Sequence, residues 1–551
     1  MVHDYQRLQT QNELKGSLLF KYRLAKGLTM ISLLAIIVMA ACSIFYPNYT
    51  FNSTKTIQQE TIVTDEVQPE RCHLPNAMKM PTSPDGSYTP PAPHSSLLKA
   101  VSFASNQEYQ DYCQKYDQEL GAFSDEWPYN QDGECGHWQE KYIDLHKKDM
   151  EMIDKYRDGV FPDDVDIEHR PRYISYICKE VPANSNRGCG GLADRMGGMI
   201  STFFYALLTD RAYLLNWAAL NPLPLETIWE RPHIDWSHDP AEMEALFTDD
   251  TNPFLGYQKV DLLNKKLKNL TGVMFPDGGN TDFNDLWNGT YIETRSNRGY
   301  IIRTFQLSQK YKKILNAMGL TKENAFRCIT NFLFRPTIGS RRFLNAYKSL
   351  FGMKSVLSIG IQIRTDDNAL ANPQYDVNSL DKWAHFFKCA GELAIFKKEA
   401  HHKHVVFFLV TDSAHLRDEF AKMSYDRELI KQYFGEELAD ISSMVVTGLP
   451  IEHIEPDQIA KYIDVEVHKE VNLERMRPGV NSAYMENWLL GETQYRVISI
   501  QGYGKMASFY SGDDRTSISM PKPSLKHPFP VCNTKEAFTT FNWLSTQWSL
   551  G

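Results

Sequence analysis

The residue in this chain best placed to do chemistry is an arginine at the end of an apolar strand. The stretch runs Ser355-Val-Leu-Ser-Ile-Gly-Ile-Gln-Ile-Arg364. Val356, Leu357, Ile359, Ile361 and Ile363 are β-branched or aliphatic, the composition of a central parallel strand. Open parallel sheets bind ligands at the carboxyl ends of their strands. A guanidinium there is always charged and carries a rigid fork of donors that fits two phosphate oxygens. Arg364 is therefore suited to holding a nucleotide diphosphate. The plainer reading is a surface arginine that closes a strand. Asp366 follows in the same loop.

A second candidate is the turn Asn186-Arg-Gly-Cys-Gly-Gly-Leu-Ala-Asp-Arg195, then Met-Gly-Gly198. Gly190 and Gly191 let backbone approach a ligand, and the helix that follows offers free N–H groups at a positive dipole end. The spacing is neither a dinucleotide fingerprint nor a P-loop. Tight turning, with close packing at Gly197 and Gly198, explains the same glycines. Arg195 lies in the first helical turn, where a cation is mildly disfavoured. It makes sense there if it faces an anion or pairs with a carboxylate such as Asp194. Arg211, at the opposite helix end, reads as structural.

Two further strand ends carry polar residues. Val405–Val410 runs into Thr411-Asp412-Ser413, where Asp412 suits a nucleoside hydroxyl or base, and both Asp412 and Ser413 suit helix capping. Arg496–Ile500 runs into Gln501-Gly-Tyr-Gly504, another small-residue turn able to give Gly502, Tyr503 and Gly504 N–H groups to a phosphate. Metal ligation is not expected. No Cys-x-x-Cys pair occurs, and the acidic triplet Asp163-Asp-Val-Asp166 lies in a loop before the first strand. His401-His-Lys-His404 reads as a solvated turn.

These residues need elements to hold them. Apolar spacing predicts helices over 107–118 and 138–157. Strand 172–178, helix 192–208 and strand 212–217 form one strand–helix–strand unit. The same alternation recurs from strand 356–363 through helix 380–399, strand 405–410, helix 414–423, strand 444–446, helix 481–490, strand 496–500 and helix 505–510. The pattern predicts an α/β protein with two Rossmann-like lobes facing each other across a cleft. Trp217, Trp229, Trp236 and Trp287 offer faces that stack on sugars, or plain core packing.

Ahead of this region lies a 20-residue uncharged run, Gly27 to Tyr46, long enough as a helix to cross a bilayer core of about 30 Å. Lys15, Lys21, Arg23 and Lys26 precede it, which places the N-terminus in the cytosol. Residues 1–26 are then a cytosolic tail, 27–46 a transmembrane helix and 47–96 a stiff Pro-rich stem. Residues 97–350 and 351–551 form the two lobes. Eight cysteines outside the span suit an oxidising lumen, and Cys189 is close enough in sequence to pair with Cys178. Asn52, Asn269 and Asn288 are glycosylation sequons. A net charge of −9 argues against a nucleic-acid partner.

Together the motifs resemble the inverting fucosyltransferases that use GDP-fucose, above all the plant xyloglucan-type α1,2-fucosyltransferases. Gly191-Leu-Ala-Asp-Arg195 through Tyr205-Ala-Leu-Leu-Thr-Asp-Arg211 is similar to that family's Gly-Leu-Gly-Asn-Arg loop and the helix after it. Gly360-Ile-Gln-Ile-Arg364 is similar to its arginine motif, and Glu486 to Ala507 to its C-terminal motif. The resemblance implies a GT-B-like fold and a Golgi type II membrane protein with a lumenal head. It implies an acceptor-side first lobe, a GDP-fucose-side second lobe and no metal or other cofactor. Arg364, with Gln362, would hold the diphosphate of GDP-fucose as it leaves.

Two departures stand out. Asp194 replaces the family's asparagine, and Gln501-Gly-Tyr-Gly504 replaces Ser-x-Phe-Gly, so that the Gln501 amide takes the serine's place. Inverting transfer to a glycan hydroxyl calls for a base, and Asp194, Asp366 and Glu486 are the candidates. Two other readings stay open. One is transfer from another nucleotide sugar; the other is a non-catalytic glycan-binding membrane protein on a transferase fold. Acceptor identity and oligomeric state, a homodimer included, are not specified.

Overall fold

A run of eight residues without one charged side chain must be buried on both faces, and Val356–Ile363 is buried at every position. It forms the middle of a parallel sheet in the computed structural model of the chain. The structure describes residues 72–546 apart from 81, 84–85, 119–132, 161–169, 179–189, 217–227, 249–254, 366–368, 370–372, 452–472 and 522–527. The tail 1–26, the span 27–46 and Asn52 lie outside the described residues. So do Cys189, Trp217, Asp366 and the triplet 163–166. Among the described residues no helix is long and apolar enough to cross a membrane.

Two parallel sheets organise the chain. The first uses β1 (Tyr173–Ile177), β2 (Ala212–Asn216), β4 (Tyr257–Asp261) and β5 (Tyr291–Arg295), in the order β2-β1-β5-β4. A short antiparallel ribbon joins β3 (Trp229–Glu230) to β6 (Arg335–Pro336). The second sheet uses β7 (Val356–Ile363), β8 (His404–Thr411), β9 (Ser442–Val445), β10 (Tyr495–Ser499) and β11 (Ser517–Met520). Its order is β11-β10-β7-β8-β9. Parallel neighbours need crossovers, and helices supply them. Six matter below: α1 (Leu192–Leu208), α2 (Ile338–Phe351), α3 (Ala384–Lys397), α4 (Ala414–Met423), α5 (Leu473–Glu492) and α6 (Gly502–Ser511).

Helix α1 is buried on nearly every side chain. Its Gly198 lies against β5's following loop, where a Cβ would come within 2.1 Å of the Ser296 carbonyl oxygen. Gly198 is therefore a packing glycine. The other face of α1 packs on α6, joining the first sheet's layer to the second's. Arg211 is structural: it is buried and donates to the Gly289 carbonyl at 2.8 Å and the Trp287 carbonyl at 3.1 Å. Trp229, Trp236 and Trp287 are core residues. Trp229 packs on Phe334 and Tyr484, and Trp236 Nε1 donates to the Leu333 carbonyl.

Two expectations are corrected. The stem does not extend freely to residue 96. Met78 and Ser83 are buried, Cys72 is bonded to Cys113, and the His94 N–H donates to the Thr447 carbonyl. The described residues from 72 to 95 lack helix or strand, as proline favours, yet they run along the folded unit. The histidine cluster is only half a solvated turn. His401 is exposed, whereas His404 opens β8, is buried against Phe103 and shares a hydrogen bond with Ser443 Oγ.

All seven described cysteines are in disulfides. Cys135 joins Cys328 and Cys389 joins Cys532. Cys178 is bonded too, to a partner outside the described residues. Asn269 and Asn288 are exposed, as sequon acceptors must be.

Candidate functional site

The register of the second sheet decides what Arg364 meets. Ile363 pairs with Thr411 across β7 and β8, so Arg364 and Asp412, the next residue on each strand, emerge side by side. They form an ion pair between Arg364 Nη1 and Asp412 Oδ2. The Thr365 N–H donates to Asp412 Oδ1 at 2.7 Å, and the Arg364 N–H donates to Ser499 Oγ, at the end of β10, at 3.0 Å. The Arg364 side chain keeps 18% of its surface exposed. Burial pushes the Asp412 carboxyl up, and the Arg364 charge and Thr365 amide oppose this. Asp412 thus fixes the guanidinium at the carboxyl edge of three adjacent strands. The cap of α4 falls to Ser413, whose Oγ accepts from the Leu416 N–H and donates to Asp376 Oδ2 at 2.7 Å.

Gln362 ties two strands of the sheet together. It is buried, and its Oε1 accepts the Ser499 N–H at 3.1 Å. Gly504 is small for the same reason: a Cβ there would lie 2.7 Å from both Gln362 Oε1 and Ile498 Cβ. Tyr503 donates its hydroxyl to the Ala483 carbonyl, and its own carbonyl accepts from Asn487 Nδ2. These contacts give the Gln362 and Tyr503 side chains packing roles and account for the glycine at 504; they do not involve the backbone N–H groups of Gly502, Tyr503 and Gly504. Gln501 and Gly502 open α6. Gln501 sits at the cap position with no side-chain cap bond, and its Oε1 is buried without a hydrogen-bond partner.

At the first sheet, Gly190 has a φ of +77°, and a Cβ there would meet Asp194 Oδ2 at 2.6 Å. Glycine is required twice over, by conformation and by space. Gly191 caps α1 in extended backbone. Asp194 pairs with Arg298 at 3.2 Å, in the loop after β5. Sequence reasoning missed Arg298, because no local pattern joins residues 104 apart. Arg195 is fully buried. Its Nε donates to the Gly190 carbonyl at 2.9 Å and its Nη1 to Cys178 Sγ at 3.2 Å. Its charge also reaches the Tyr484 phenol on α5. Arg195 thus clamps the glycine turn, a role the sequence did not suggest, and the carboxylate Asp194 pairs with Arg298.

Glu486 lies on α5, one residue from Asn487 and in the field of Tyr503. It is 7% exposed. Thr447 Oγ1, past the end of β9, donates to its Oε1. Burial raises its carboxyl to about 7, against the pull of that hydrogen bond and the Arg417 charge. A carboxylate poised near neutrality is what general-base work asks for. Its surroundings therefore suit Glu486 to that role among the described residues. Asp194 is committed to Arg298, and Asp366 lies outside the described residues. Among the described residues no group of three or more His, Cys, Asp or Glu side chains is arranged to hold a metal ion.

The carboxyl edge of the second sheet therefore gathers a fixed guanidinium, the N-terminus of α6 and, one helix away, a buried acid. Helix N-termini and arginines are anion sites, and a poised acid can take a proton.

No protein-family model matches the chain, and no curated protein matches it. Solved structures do. An Arabidopsis thaliana FUT1 variant in complex with GDP is similar at 16% identity, over 73% of this chain and 81% of that one, with a TM-score of 0.45. The fucosyltransferase NodZ from Bradyrhizobium is similar at 12% identity, over 65% and 97%, with a TM-score of 0.34. NodZ alpha-1,6-fucosyltransferase soaked with GDP-fucose is similar at 14% identity, over 62% and 92%, with a TM-score of 0.33.

Proposed function

We propose that this chain is a metal-independent glycosyltransferase that moves fucose from GDP-fucose to a glycan hydroxyl with inversion. The observation that carries this reading is Arg364. It stands at the carboxyl end of the central strand, held by Asp412 beside the start of α6, where a diphosphate would be bound. The motif resemblance supplies the donor, since a similar arginine motif, glycine loop and C-terminal turn occur together in fucosyltransferases that use GDP-fucose, with the departures at Asp194 and Gln501 noted above.

The chemistry follows from charge. As the sugar–phosphate bond breaks, negative charge grows on the β-phosphate. A guanidinium and helix N–H groups already in place stabilise it without reorganisation. Glu486, ionised in part at neutral pH, takes the acceptor proton as the hydroxyl attacks the opposite face of the sugar. Such a head, anchored by residues 27–46 with residues 97–350 on the acceptor side and 351–551 on the donor side, would work in the Golgi lumen. The disulfides and the exposed sequons at Asn269 and Asn288 support that compartment.

The test is turnover of a panel of nucleotide sugars by the full chain with EDTA present. GDP-fucose should be consumed selectively. Selective use of another nucleotide sugar would overturn the donor assignment, and loss of turnover in EDTA would overturn metal independence.

A further inference from the structure

The α6 start holds a second cation that no motif assigns. Lys505 is in the first turn of α6, its residue surface is 0% exposed, and among the described residues its Nζ has no hydrogen-bond partner. An ammonium buried in that way is costly. Its position makes the cost greater, because the positive end of a helix dipole repels a cation. Side chains on a helix lean toward its N-terminus, and Lys505 lies one turn from Gln501, the residue that opens α6. Among the described residues no acidic group offsets the burial, which pushes the ammonium down to about 7. One feature resolves these conflicts together: an anion bound at the α6 N-terminus.

We infer that Lys505 binds the phosphate groups of the nucleotide at the start of α6, in place of the serine hydroxyl that the resembling family keeps where this chain has Gln501. The inference rests on the proposed function for the identity of the nucleotide, and on the structure for the anion. With the anion bound, the ammonium becomes a charge-assisted donor and its burial is compensated. Arg364 then need not supply all of the positive charge at this edge of the sheet. The two cations divide the task by reach: Arg364 is tied in place by Asp412, whereas Lys505 carries a flexible stem without a competing carboxylate.

The experiment is calorimetric titration of the full chain with GDP, guanosine and inorganic pyrophosphate, using the wild type, Lys505→Met and Lys505→Gln. Both variants remove a buried charge without adding volume, so thermal stability should hold or rise. GDP affinity should fall about 10- to 100-fold in both, the range expected for one lost hydrogen bond to a charged group. Guanosine affinity should not change. Equal GDP affinity in wild type and both folded variants would overturn the role of Lys505 and leave the function standing. Wild-type binding of pyrophosphate that the variants lose, without binding of GDP, would keep the anion site and overturn the nucleotide assignment. Binding of neither by the folded wild type would overturn both.

Discussion

Glu486→Gln should make the protein more stable at alkaline pH while removing most of its activity. The wild-type acid is buried on α5, and burial lifts its carboxyl from the ordinary 4.5 to about 7. An acid whose folded pKa exceeds its unfolded one binds its proton more tightly when folded. Below pH 4.5 both states are protonated, and the carboxyl carries no penalty. Between 4.5 and 7 the unfolded chain releases the proton and the folded chain keeps it, so stability falls as pH rises. Above 7 the penalty is complete. About 2.5 pH units at about 1.36 kcal/mol each give about 3 kcal/mol. The amide does not titrate, and its oxygen can still accept from Thr447 Oγ1. Urea denaturation at pH 4.5, 6 and 8 should therefore show the variant gaining on the wild type, from little difference to about 3 kcal/mol. A stability difference that does not change with pH would refute the burial argument. In turnover, loss of the base should lower kcat by about 10²- to 10⁴-fold with little change in donor KM. Full turnover would remove Glu486 from the chemistry while leaving the stability result intact.

Other substitutions probe the frame. Arg364→Lys keeps the charge but loses the fork, so donor KM should rise at least about tenfold while the fold holds; an unchanged KM would dismiss bidentate binding. Arg364→Ala strands the buried Asp412 and should destabilise by about 3–5 kcal/mol. The double variant with Asp412→Asn should recover part of that in the same melt, and no recovery would show that the pair is not coupled. Gly198→Ala pushes a methyl into the Ser296 carbonyl and should cost about 1–3 kcal/mol or more by overpacking; a wild-type Tm would contradict the packing described.

The sequence made the centre of each sheet legible and its edges opaque. Helix α1, strand β7 and helix α4 fall where periodicity places them, since each buries a long apolar surface. Strands β4 and β5 escaped notice. β4 reads Tyr-Gln-Lys-Val-Asp and is largely unburied, and β5 carries Glu293 and Thr294 in its buried positions. Such strands are recognised by their partners, not by their composition. The same holds at the site. Arg364 was visible because it ends an apolar run. Its bond to Asp412 depends on the register between β7 and β8, and the Asp194–Arg298 pair depends on the order of the first sheet. Lys505 left one faint signal, a lone cation among small and apolar residues in Gly502-Tyr-Gly-Lys-Met-Ala507.

The central claim is that the carboxyl edge around Arg364 binds the diphosphate of GDP-fucose and assists its departure. The most direct test is GDP-fucose turnover by the full chain in EDTA, wild type beside Arg364→Lys. The account predicts turnover of GDP-fucose in preference to other nucleotide sugars, strongly reduced in the variant. Equal turnover by both proteins, or no consumption of GDP-fucose by folded wild type, would contradict it.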